Sequence, residues 1–76
     1  MTRKMNVLVV GSGAREHALA WALSKSAAVE TVHAAPGNPG MRDVAAIHPV
    51  THPDLRSLLP LITRENIRMA VIGPEA

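Results

Sequence analysis

Apolar residues follow two rhythms along this chain, separated by glycine and proline. Met5-Asn6-Val7-Leu8-Val9-Val10 is a nearly unbroken apolar, β-branched run that ends at Gly11. A run of this length without alternation predicts a strand buried on both faces. Residues 14–26 then switch to helical spacing. Leu19, Ala22, Leu23 and Ser26 stand at i, i+3, i+4 and i+7, and the alanines favour a helix intrinsically. Residues 31–35 predict a short second strand. Pro36-Gly37-Asn38-Pro39-Gly40 stops it with a stretch able to continue neither kind of element.

Residues 45–48 predict a third strand. Pro49 has no N–H for a ladder, which places that strand at an edge. Thr51 then reads as a helix cap, with Pro53 in the first turn and Asp54 three residues after the cap. Leu55, Leu58, Leu59 and Ile62 mark the apolar face of this second helix. Pro60 removes a backbone hydrogen bond, at ~3 kcal/mol in a helix interior. It lies away from the leucine face, so a kinked helix with Pro60 towards solvent is expected. Asn66 is a left-handed stop. Residues 68–72 predict another buried strand, ending at Gly73-Pro74-Glu75-Ala76.

The order β-α-β-loop-β-α-β predicts an α/β fold: an open parallel Rossmann-like sheet with right-handed crossovers, spatial order 3-2-1-4 and one helix on each face. Residues 36–44 form a short link for a parallel crossover, which usually takes about a dozen residues. Ligands of such sheets bind at strand carboxyl ends where the order reverses. Here that is between the first and fourth strands, at Gly11-Ser12-Gly13 and Gly73-Pro74-Glu75. One helix per face half-covers four strands, and the chain stops just after a strand. An incomplete domain with an exposed apolar sheet face is therefore expected. Trp21, opposite Leu19, is expected either partly exposed or packed on sequence outside this chain.

Composition narrows the options. Seventy-six residues form one small domain at most, burying roughly 60% of the unfolded chain's surface. Trp21 is the sole Phe, Tyr or Trp, so Val, Ile, Leu and Ala must build the core. The net charge is +2. Apart from Arg3-Lys4 the basic residues are scattered, with no aromatics between them to stack on bases. No nucleic-acid partner is expected, and a small anionic ligand suits the chain better. The absence of cysteine excludes disulfides and thiolate metal sites and is compatible with the cytoplasm. The apolar run after Arg3-Lys4 stops at Gly11 and Arg15-Glu16-His17 follows, which is not a signal-peptide core. Nothing approaches the ~20 apolar residues of a membrane span. His17, His33, His48 and His52 fall on separate elements without metal-ligand spacing, so no metal site is expected.

The loops carry the candidate chemistry. Gly11-Ser12-Gly13-Ala14-Arg15-Glu16 joins a strand to a helix, where glycines permit a sharp turn and free N–H groups can hold an anion. Read blandly, it is a tight turn without a ligand. A dinucleotide site fails twice. Glu16 replaces the third glycine of G-x-G-x-x-G, and the second strand ends in Ala35-Pro36 rather than in an acid for a ribose hydroxyl. Arg15 beside those N–H groups suits a phosphate, although a solvated first turn, with Glu16 against the helix dipole, explains it equally well. Asn38 offers a donor and an acceptor to a sugar or phosphate, or simply makes a surface turn. Glu75 suits ribose hydroxyls or is an exposed terminal residue.

Together these segments resemble the opening of the glycinamide ribonucleotide synthetase (phosphoribosylamine–glycine ligase) family. The resemblance covers nearly the whole chain: Val9 to Trp21 with Arg15-Glu16-His17, then Ala35 to Gly40, then Val71 to Ala76 with Gly73-Pro74-Glu75. Ala14 stands where that family more often has glycine, and Pro60 is atypical. The resemblance implies residues 1–76 of a substrate-binding domain ahead of an ATP-grasp unit. The implied enzyme joins glycine to 5-phosphoribosylamine through a glycyl phosphate in purine biosynthesis. ATP and Mg or Mn would be held by domains this chain lacks, leaving it inactive alone and without catalytic, cofactor or metal residues of its own. By position, Gly11, Gly13 and Arg15 would face the substrate phosphate, Asn38 and Gly40 would line the sugar pocket and Glu75 would approach the ribose, with Gly73 and Pro74 also substrate-binding. The competing readings are an NAD(P)-dependent oxidoreductase domain and a non-catalytic phosphate- or nucleotide-binding module.

Overall fold

A computed structural model describes residues 4–73. The elements are β1 (Met5–Gly11), α1 (Ala14–Ser24), β2 (Val29–Pro36), a 3₁₀ turn (Pro39–Asp43), β3 (Ala46–Ile47), α2 (Leu55–Arg64) and β4 (Ile67–Ile72). All pairings are parallel and the order is β3-β2-β1-β4, as the pattern predicts. Period-two alternation sorts the side chains to two faces. Val7, Val9, Val32 and Ala34 pack with Ala20 of α1 and with Met41. Leu8, Val10 and Ala35 pack with Leu58 and Leu61 of α2. The two helices thus lie on opposite faces.

The short link between β2 and β3 closes because β3 is only two residues long. Its partners, His33 and Ala34, lie in the middle of β2, so the chain does not return to the start of the strand. The 3₁₀ turn is unforeseen: Pro39 opens it, where a missing N–H costs nothing, and Met41 seals the core beneath it. Asn66 has φ 54°, the left-handed stop expected after α2.

Four expectations need correction. The buried face of α1 is Glu16, Leu19, Ala20 and Leu23, not Leu19, Ala22, Leu23 and Ser26. The spacing was right and the phase was not, because a glutamate supplies the first buried position. The cap of α2 is Asp54, whose Oδ1 accepts from Ser57 N–H at 2.9 Å, leaving Thr51 and Pro53 outside the helix. On α2 the buried residues are Leu58 and Leu61, with Ile62 partly covered. Leu59 is half exposed, Pro60 faces solvent within the helix, and Leu55's side chain lies outside the described set. β4, predicted to be buried, is mostly exposed.

Candidate functional site

Two strand ends meet where the sheet order reverses. Gly73, just after β4, donates its N–H to Val10 O at 2.8 Å, which brings the ends of β1 and β4 side by side. Gly11 closes β1 with φ 144°, a conformation open to glycine and strained for any residue with a Cβ. Gly13 then starts α1, and the first intrahelical bond runs from His17 N–H to Gly13 O. The N–H groups of Ala14, Arg15 and Glu16 therefore have no intrahelical acceptor, as at any helix start.

Glu16 is the unexpected member of this site. It is 2% exposed, and its Oε1 accepts from Gly13 N–H at 2.8 Å. This is half a capping box, since Gly13 has no side chain to return the bond. The carboxylate lies against Gly11 and Gly73, and a Cβ on either glycine would collide with it. The innermost part of the crevice is thus filled by the protein itself. An incoming anion must sit further out.

There is room for one. A cleft of ≈ 500 Å³ opens outside Glu16, lined by residues 11–16 together with Pro36 and Pro53. Arg15 is exposed there and brings a guanidinium to the start of α1. Glycine and alanine backbone, the Arg15 guanidinium and the Ser12 hydroxyl equip this cleft to bind an anion.

Of the residues singled out in the sequence, Gly11, Gly13 and Arg15 line the cleft, and Gly73 adjoins it through Glu16. Asn38 and Gly40 lie beside it and do not line it. Asn38 Nδ2 donates to Ser12 O at 2.8 Å, fixing the loop after β2 to the glycine turn, with Gly37 N–H to Gly11 O at 3.0 Å as a second tie. Gly40 packs against Asn38 and His17, where a Cβ would lie 3.2 Å from each. Pro74 and Glu75 lie outside the described residues. Sequence reasoning missed Pro53 as a wall of the cleft and Glu16 as its floor. The only advance signal for Glu16 was its i, i+3, i+4, i+7 relation to Leu19, Ala20 and Leu23.

A second polar cluster lies away from the cleft. His33 Nδ1 and His48 Nε2 are 2.9 Å apart, with ring centroids 5.1 Å apart, although the two residues sit on different segments of the sequence. Burial holds the His33 pKa below its ordinary value, and His48 lowers it further against an opposing pull from Glu65. Among the described residues, no three His, Asp or Glu side chains come together as a metal would need. No helix is long and apolar enough to cross a membrane among the described residues.

Comparison with known proteins agrees with this architecture. A family model described as "Phosphoribosylglycinamide synthetase, N domain" matches residues 5–76. Curated relatives named phosphoribosylamine–glycine ligase include those of Chlorobaculum tepidum, 49% identical over 74 residues, and Halalkalibacterium halodurans, 45% over 71, each alignment covering 93% of this chain. That of Phenylobacterium zucineum is 46% identical over 72 residues, covering 95% of this chain. In each case the match spans 17% of the relative's length. With nearly every residue inside that match and a parallel sheet closing on a glycine turn, the chain belongs to the phosphoribosylglycinamide synthetase N-domain family.

Proposed function

We propose that this chain is the substrate-binding start of a cytoplasmic, ATP-grasp ligase that joins glycine to 5-phosphoribosylamine, giving glycinamide ribonucleotide for purine biosynthesis. The relatives' shared name supports the reaction. The observation that carries the substrate role is the open cleft outside Glu16, which Arg15 and the other residues at the start of α1 line together. A phosphate there meets a guanidinium fork and the positive end of a helix. Gly11 and Gly13 let the backbone come close to it. The sugar extends towards the loop carrying Asn38 and Gly40, and on the sequence motif Glu75 is assigned to the ribose, with Gly73 and Pro74 as substrate-binding neighbours. ATP and Mg or Mn belong to further domains of the ligase, in keeping with a match to 17% of the relatives' length.

Ribose 5-phosphate, a stable analogue lacking the amine, tests this by NMR titration of the 76-residue chain. The amides of residues 11–16 should shift, and Arg15→Ala should weaken binding about tenfold, as for a lost charge-assisted bond of ~1.5 kcal/mol. Shifts elsewhere, or tighter binding of NAD than of the sugar phosphate, would overturn the reading. Mixed with ATP, glycine, magnesium and 5-phosphoribosylamine, the chain alone should release no ADP, because nothing in it brings a nucleotide to the glycine carboxylate.

A further inference from the structure

Glu16 is an acid buried at the point where an anionic ligand is expected, and neither the reaction nor the motif explains why. A carboxylate at a helix start is ordinarily solvated, favourable to the dipole and of small consequence. This one is 2% exposed and takes the Gly13 N–H that an incoming phosphate would otherwise use. It therefore occupies the innermost donor itself, while the Ala14 and Arg15 N–H groups have no intrahelical acceptor.

Its packing is equally specific. The three heavy atoms nearest to a Cβ built on Gly73 are Oε2, Cδ and Cγ of Glu16, the last at 2.8 Å. Gly73 does not share the positive φ of Gly11 and Gly37, so its backbone accepts alanine and the obstacle is Glu16. At Gly11 the same side chain stands 2.7 Å, at Cδ, from where a Cβ would be. One glutamate thus fills the gap between two strand ends that both lack side chains, and its oxygen fixes the residue that starts α1.

We propose that Glu16 is a positioning residue: a spacer wedged against Gly11 and Gly73 at the paired β1 and β4 ends, which holds the glycine turn in place through Gly13 and thereby aims the Ala14 and Arg15 amides at the substrate phosphate. The phosphate binds beyond Glu16 and does not replace it. This rests on the proposed substrate role for its ligand, but the spacer itself is testable without one.

The experiment is a double-mutant cycle on the 76-residue chain. Gly73→Ala should lower the melting temperature by about 5 °C in the native background and by less than half of that in Glu16→Ala, where the obstacle is gone. Equal losses in both backgrounds would overturn the spacer. Glu16→Ala should also weaken ribose 5-phosphate at least tenfold, and Glu16→Gln, which keeps the acceptor and the shape, should restore binding to within about threefold of the native chain. Unchanged binding by Glu16→Ala, or a Gln variant as weak as Ala, would exclude the positioning role. If the native chain binds no sugar phosphate, the substrate reading fails while the cycle still decides the spacer. Should Glu16→Ala not fold, amide exchange decides instead: Gly13 N–H should exchange slowly in the native chain and in Glu16→Gln, and fast exchange in the native chain would refute the bond.

Discussion

β1 and β4 are adjacent strands of similar apolar composition with opposite fates. From Val7 to Val10 every β1 side chain is at most 1% exposed, whereas Met69 and Ile72 of β4 are 39% and 67% exposed. They share the register Val7–Met69, Leu8–Ala70, Val9–Val71 and Val10–Ile72, so the same rows run through both. The difference is position. β1 has a strand on each side and a helix over each face, while β4 has one strand neighbour and sits beyond the reach of α1. An apolar run states that a strand tolerates burial. The elements around it decide whether it is buried.

Substitutions on the shared rows test this directly. Leu8→Ala should cost about 3 kcal/mol, a large part of the roughly 4–11 kcal/mol available to a chain of this size, and urea unfolding would show it. A loss below about 1 kcal/mol would mean that β1 is not the centre of the core. His33 flanks Leu8 in the same row, on the side away from β4. Its pKa is lowered in the fold from 6.5. The unfolded chain therefore takes up this proton first, so stability is full above about pH 6.5 and falls as the pH drops below it. One proton gives a slope no steeper than about 1.4 kcal/mol per pH unit, and His33→Gln should flatten it. If hydrogen exchange shows β4 opening before β3 as the medium is acidified, the two sides of β1 are not independent.

Smaller effects probe the entry to β4. Asn66→Ala should cost about 1 kcal/mol, because alanine resists the left-handed turn, and Asn66→Gly should not. Ile72→Ser should fall within about 0.5 kcal/mol of the native chain, as for other exposed positions. A loss matching Leu8→Ala would erase the contrast between the strands.

The order of elements and the sheet topology were legible because they depend on period, and period survives in a single chain. Phase was less legible. On α1 it was misread because Glu16 was judged by polarity, when its carboxylate had a backbone N–H to satisfy and two glycines to lie between. On α2 the leucines at 55, 58, 59 and 61 offer two overlapping faces, and nothing local chooses between them. The cap shows the same limit: Thr51 and Asp54 both qualify, and only Asp54 meets an N–H three residues on. At the site, glycines and Arg15 were visible as types, but the bond from Asn38 to Ser12 O spans 26 residues and could not be read from either neighbourhood.

Trp21 projects from the outer side of α1, 54% exposed, with Lys25 Nζ 5.4 Å from its ring centroid. Since the chain has no tyrosine, its ultraviolet emission comes from this one indole. Anything that settles on the back of α1 will change the colour and quenching of that light, while a sugar phosphate entering the cleft will leave it nearly untouched. The protein thus carries its own optical probe, one that separates docking on the helix from loading of the cleft.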